Sequence, residues 1–132
     1  MPLQPSAALL TLASPQFDHL VQFYRQFLSL EPVTLLPNSY AEFHLPGLRL
    51  GIFRPKDREE VDGGWGIGDS ENPFPSSPTG MALCLEVPNL EEAITHLATL
   101  GYPPSSDIIA ASHGCEVYAA DPDGNWLILH QT

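Results

Sequence analysis

An internal duplication constrains this chain more than any other feature. Shifted by 73 residues, the stretch from Leu10 overlies the stretch from Leu83. Pro15 meets Pro88, Phe17 meets Leu90, Leu20 meets Ala93, Val21 meets Ile94, Tyr24 meets Leu97 and Phe27 meets Leu100. Both copies read as a short strand, a proline corner and then a helix with apolar residues at i, i+3, i+4 and i+7. In the second copy Asn89 is a good N-cap, Glu92 stands three residues on, as in a capping box, and Gly101 suits the position just past the helix end. In the first copy Ser14 can cap and Pro15 falls at the favoured first helical position.

A second match ends each half, at an offset of 77: Gly47 to Ile52 overlies Gly124 to Leu129, each a glycine turn opening an alternating strand. Between these landmarks there is room for strands at 33–36 and 40–45 in the first half, and at 107–111 and 115–120 in the second. The unit is strand, helix, strand, strand, strand, occurring twice. A period of about 75 residues is too long for a solenoid, so the pattern predicts a two-copy, pseudo-symmetric α+β fold. We expect two tandem βαβββ modules forming a cupped mixed sheet with helices outside. The chain is read as one domain, 1–132, with module one at 6–54, a linker or lid loop at 55–79 and module two at 80–132. That loop carries four prolines, four glycines and six acids, with Trp65 and Phe74 embedded. Loops of such length are commonly lids or linkers, and the two aromatics favour a lid.

Composition removes whole classes of function. Five Lys and Arg against 16 Asp and Glu give a net charge of −11, the wrong sign for phosphate backbones or anionic lipid. No nucleic-acid or membrane partner is expected, and no apolar run approaches the roughly 18 residues of a span. The first 12 residues lack a basic segment ahead of their apolar stretch, so they do not read as a signal peptide. The two cysteines, Cys84 and Cys115, form no Cys-x-x-Cys pair, as suits free thiols in a reducing compartment. A cytoplasmic protein is the expectation.

Period-two alternation sorts each long strand into two faces. One carries Leu10 and Leu12; Leu48, Leu50 and Ile52; Leu83, Leu85 and Val87; Leu127 and Leu129. This aliphatic set belongs under the helices. The other carries Leu9 and Thr11; Arg49, Gly51 and Phe53; Ala82, Cys84 and Glu86; Trp126, Ile128 and His130. A face so mixed is either solvated or lines a cavity, and two twisted sheets with outer helices favour a cleft.

The tandem modules, the helix segment Val21-Gln22-Phe23-Tyr24-Arg25-Gln26-Phe27-Leu28 and the turn Asp121-Pro122-Asp123-Gly124-Asn125 together resemble the vicinal oxygen chelate superfamily. That superfamily holds glyoxalase I, extradiol dioxygenases, fosfomycin-resistance transferases and bleomycin-resistance proteins. The resemblance covers nearly the whole chain except the central loop. It implies that metal-dependent members place four His, Gln or Glu ligands at positions that here are Leu9, Gly51, Ala82 and Ile128. None of these can bind a metal, and catalysis by metal polarisation of vicinal oxygens therefore lacks its centre. The expectation is a metal-free small-molecule-binding protein of the bleomycin-resistance type, with no cofactor and no metal. The resemblance also implies a homodimer.

Arg49, Phe53, Trp65, Tyr118 and Trp126 are the expected ligand contacts. Arg49 can hold a planar or anionic group by stacking and bidentate hydrogen bonds; the plainer alternative is an Arg paired with Glu86 or another acid. Phe53 and Tyr118 read as pocket walls or as ordinary packing. The acidic loop suits a cationic ligand. The rival class is an enzyme, a lyase or dioxygenase with a non-standard site, for which Cys84, Glu86 and His130 are the candidates. A Cys–His pair can form a thiolate nucleophile, and His with Glu can do acid–base work; His130, two residues from the end, is equally a frayed terminal residue. The same three could form a relocated zinc site. Asp121 and Asp123 lack the later ligands of an EF-hand, and Asp-Gly is a hairpin signal, so they read as a turn.

Overall fold

A computed structural model describes residues 3–55, 80–111 and 114–132. Along them run β1 (Leu10–Ala13), α1 (Phe17–Leu28), β2 (Thr34–Leu36), β3 (Tyr40–Leu45), β4 (Leu48–Phe53), β5 (Ala82–Glu86), α2 (Leu90–Thr99), β6 (Ile109–Ala111), β7 (Gly114–Ala120) and β8 (Trp126–Gln131). This is the expected βαβββ order, twice. The elements divide into two compact units, β1 to β4 with α1 and β5 to β8 with α2. Residues 56–79 of the expected linker or lid loop, Trp65 among them, lie outside the described residues, as do Ser112 and His113.

Each unit is one four-stranded mixed sheet, ordered β1-β4-β3-β2 in the first and β5-β8-β7-β6 in the second. In each, the first strand pairs parallel with the last and the remaining pairs are antiparallel. Parallel neighbours need a crossover of a dozen or more residues, which the helix and two inserted strands provide. The register repeats residue by residue: Leu10↔Leu50 recurs as Leu83↔Leu127, Thr11↔Gly51 as Cys84↔Ile128, and Ala13↔Phe53 as Glu86↔His130. The two offsets seen in the sequence, 73 for the first strand and 77 for the last, are therefore those of the folded repeat.

The aliphatic face lies where alternation puts it. Leu50, Ile52, Leu127 and Leu129 have no exposed surface, and Ala41, Phe43, Val117 and Ala119 are buried beside them from β3 and β7. α1 packs on β4 and α2 on β8. α1 buries Phe17, Leu20, Val21, Tyr24 and Phe27, the expected stripe, and Phe23 in addition, which stacks on Phe27 at 5.4 Å between ring centres. Burying each such side chain contributes roughly 1.5–3 kcal/mol.

The helix ends differ in how well the sequence announced them. Asn89 Oδ1 accepts from the Glu92 N–H at 3.0 Å, and the Asn89 amide donates to the Glu92 carboxylate at 3.3 Å. Past the C-terminus of α2, the Gly101 N–H donates to Ala98 and the Tyr102 N–H to Leu97, with Gly101 at φ +98°, which is a Schellman ending. At the start of α1 the expectation needs correction. Pro15 lies in the turn before the helix, and the Ser14 hydroxyl accepts from the Gln16 N–H, outside the helix proper. Gln16 is the N-cap residue and makes no side-chain cap. Phe17, 2% exposed, is the first residue anchored in the core and fixes where the helix begins.

Candidate functional site

The mixed faces of the two sheets carry the chemistry, and each is built by strand alternation. In the first unit β4 contributes Arg49, Gly51 and Phe53. β3 contributes Tyr40, Glu42 and His44, which stand opposite Phe53, Gly51 and Arg49 respectively. Glu42 is at the centre. Its Oε2 accepts from Arg49 Nε at 2.7 Å and from His44 Nε2 at 2.8 Å, and its Oε1 accepts from the Tyr40 hydroxyl at 2.8 Å. The residue is 7% exposed, and both carboxylate oxygens that burial takes from water have donors. The hydrogen bonds from Arg49, then Tyr40 and His44, pull its pKa from 4.5 down to about 2. Burial, together with the neighbouring carboxylate, raises the Tyr40 phenol. Arg49 is thus paired with an acid, as the plainer reading held, but the acid is Glu42 of its own sheet and not Glu86.

In the second unit β5 contributes Ala82, Cys84 and Glu86, β8 contributes Trp126, Ile128 and His130, and β7 contributes Glu116 and Tyr118. His130 stands between Glu86 on one neighbouring strand and Glu116 on the other. Its Nδ1–H donates to Glu86 Oε2 at 2.8 Å, which lowers the Glu86 pKa. The imidazole is only 12% exposed and sits inside the ladder, so the frayed-terminus alternative does not describe it. The Tyr118 hydroxyl donates to Glu116 at 3.0 Å, an interaction that raises the phenol pKa. Tyr118 and Trp126 rings lie 6.0 Å apart, and Trp126 is 39% exposed.

Cys84 shares this face, yet its register partner is Ile128, and His130 is engaged two positions along with Glu86. Burial first, then the charges of Glu86 and Glu116, push the Cys84 thiol above its ordinary value. An activated nucleophile needs the opposite shift. The arrangement brings Glu86 and His130 together as a carboxylate–imidazole pair and leaves Cys84 beside them as a protonated thiol.

The two faces mirror one another in kind. By register Glu42 corresponds to Tyr118 and Tyr40 to Glu116, so each unit carries one Tyr-to-Glu hydrogen bond along its third strand, in opposite order. Arg49 corresponds to Trp126, so the diagonal pair is an ion pair in one unit and an aromatic pair in the other. Tyr40, Glu42, His44 and Glu116 are not among the residues that the sequence singles out. The alternation of Tyr40-Ala41-Glu42-Phe43-His44-Leu45 holds the signal: three polar residues at period two on the strand that faces Arg49.

The positions where the resemblance puts metal ligands can be tested directly. Leu9, Ala82 and Ile128 offer no donor atom. At Gly51 a Cβ would lie 2.8 Å from the Tyr40 hydroxyl and 3.2 Å from Leu9 Cδ1 and Thr11 Cγ2. The space next to Gly51 is taken by the Tyr40 hydroxyl and the Leu9 and Thr11 side chains. The donor set does not fit a metal at these positions. Among the described residues no three His, Cys, Asp or Glu side chains are grouped to hold a metal elsewhere. The Asp121 turn is closed on itself: the carboxylate, 3% exposed, accepts from the Asp123 and Asn125 N–H groups at 2.9 Å and from the Asn125 amide at 2.8 Å.

Comparison with solved structures identifies the architecture. A glyoxalase-related enzyme from Fulvimarina pelagi superposes with a TM-score of 0.73 at 23% identity, covering 98% of this chain and 89% of that one. A glyoxalase/bleomycin resistance protein/dioxygenase from Nocardioides gives 0.71 at 18% identity, covering 99% and 85%. A genomically encoded fosfomycin resistance protein from Listeria monocytogenes gives 0.70 at 15% identity, covering 98% and 95%. No family model and no curated protein matches the sequence. The fold is the tandem βαβββ fold of these glyoxalase-related, bleomycin-resistance and fosfomycin-resistance structures. Among the described residues no helix is long and apolar enough to cross a membrane.

Proposed function

We propose that this chain is a metal-free small-molecule-binding protein of the glyoxalase/bleomycin-resistance type, taking a cationic or aromatic ligand. The observation that carries this reading is the loss of every donor at the four ligand positions, on faces that still present ordered polar groups. Arg49 and Phe53 on the first unit's face, and Tyr118 and Trp126 on the second unit's face, are the proposed contacts; Trp65 lies outside the described residues. On the second face an exposed indole beside a phenol that is hydrogen-bonded to the Glu116 carboxylate suits a planar cation through ring stacking and charge. A homodimeric, cytoplasmic protein is part of the same proposal. A second reading, a lyase or dioxygenase with a non-standard site, draws on the Glu86–His130 pair, with Cys84 beside it, and on the enzyme named among the structural neighbours.

Calorimetric titration with ethidium, a planar aromatic cation, tests the proposal. Saturable binding is expected, weakened at least about tenfold in Trp126→Ala, whose circular dichroism stays that of the parent. Equal affinity in parent and variant, or no saturable heat in the parent, would overturn it.

A further inference from the structure

Arg49 is held in an unusual way, and the hold says what it is for. A guanidinium whose task is to close an ion pair commonly engages a carboxylate through two parallel N–H bonds. Here Nε alone donates to Glu42, because His44 shares the same carboxylate oxygen and Tyr40 has the other. Glu42 accepts from three donors and fixes the guanidinium through one edge. Among the described residues no protein acceptor reaches the two Nη nitrogens, and the side chain is 40% exposed.

What remains is a planar, permanently charged fork that cannot rotate freely, presented on the mixed face of β4. Its floor is Gly51, where the Tyr40 hydroxyl fills the space of a side chain. Phe53, two residues along the same strand, is half-buried and shares the face. In the second unit the corresponding position holds Trp126, another flat group set diagonally against the neighbouring strand.

We propose that Arg49, oriented by Glu42, is a subsite for a planar aryl or alkyl carboxylate on the mixed face of the first unit. This rests on the ligand-binding reading above and adds a chemical class of ligand for that one face. The two Nη groups supply parallel hydrogen bonds matched to the two oxygens of a carboxylate. Glu42 is a positioning residue: ionised throughout the neutral range, it keeps the fork aimed. A lysine at position 49 would keep the charge and lose the fork.

The probe is benzoate, with the neutral isostere benzamide as control, followed by amide and arginine Nε–H chemical shifts of labelled protein. Benzoate is expected to shift the Arg49 Nε–H and the Gly51 and Phe53 amides saturably, with benzamide at least about tenfold weaker. Arg49→Lys and Arg49→Gln are each expected to weaken benzoate by about tenfold or more. Both variants are at a half-exposed site, and unchanged spectra elsewhere confirm the fold. Benzoate binding of parental strength in Arg49→Lys would reduce the site to a point charge and overturn the proposal, as would no saturable shift at Arg49. Ethidium titrated in parallel separates the two claims. Ethidium binding without benzoate binding removes the carboxylate subsite and leaves the binding reading standing; failure of both removes both.

Discussion

Glu42 shows at residue scale how a carboxylate can be both buried and charged. Three donors from Arg49, Tyr40 and His44 replace the water it loses, and its pKa falls to about 2 from 4.5. A group depressed in the folded state contributes stability that is fully present above its unfolded pKa and is lost as pH falls toward the folded one. The contribution is therefore complete above about pH 4.5 and disappears toward pH 2. Glu42→Gln removes the charge, so the variant should be less stable than the parent at pH 7, with the gap narrowing as pH drops below 4.5. Urea unfolding at pH 7, 5, 4 and 3 measures this; a gap that stays constant over that range would contradict it. The same residue marks a limit of sequence reading. Alternation puts Glu42 and Arg49 on one face, but only the pairing of β3 with β4 in one particular register, which sets them on a diagonal, turns that into a shared carboxylate.

The elements were legible wherever a local rule acts alone. α2 has its side-chain cap from Asn89 and its glycine ending because each is short-range chemistry between residues a few positions apart. Asn89→Ala should cost about 1 kcal/mol in a thermal or denaturant melt. A loss under a few tenths would mean that the other tie on this end, from Gln131 to the Leu90 N–H at 2.6 Å, is sufficient by itself. That tie joins residues 41 apart in sequence and has no local signature. α1 was read less well for the same reason. Ser14 and Pro15 look like helix-start residues, but the helix begins where Phe17 enters the core, a tertiary fact that overrides propensity. The strand faces were read correctly because their side-chain period of two admits no intermediate orientation.

For the whole molecule, duplication carried most of the information. Two copies must bury equivalent positions, so a weak pattern in one half is checked by the other, and the folded register keeps both sequence offsets. The repeat also exposes divergence. One face has become a carboxylate-centred network around Arg49, and the other an aromatic pair beside an imidazole held by Glu86. Such differences are invisible to periodicity, because they exchange one mixed-face residue for another without changing the pattern. What unites the two faces is the missing donor set at Leu9, Gly51, Ala82 and Ile128, and the account of a metal-free binding protein stands on it.

Elemental analysis of untagged, purified protein, with zinc, nickel, iron and cobalt titrated back after chelation, tests that claim most directly. The account predicts metal far below one equivalent per chain and no saturable heat for any of the four. Close to one equivalent of metal, lost in Glu86→Gln or His130→Asn, would contradict it and place an enzyme centre on the second sheet.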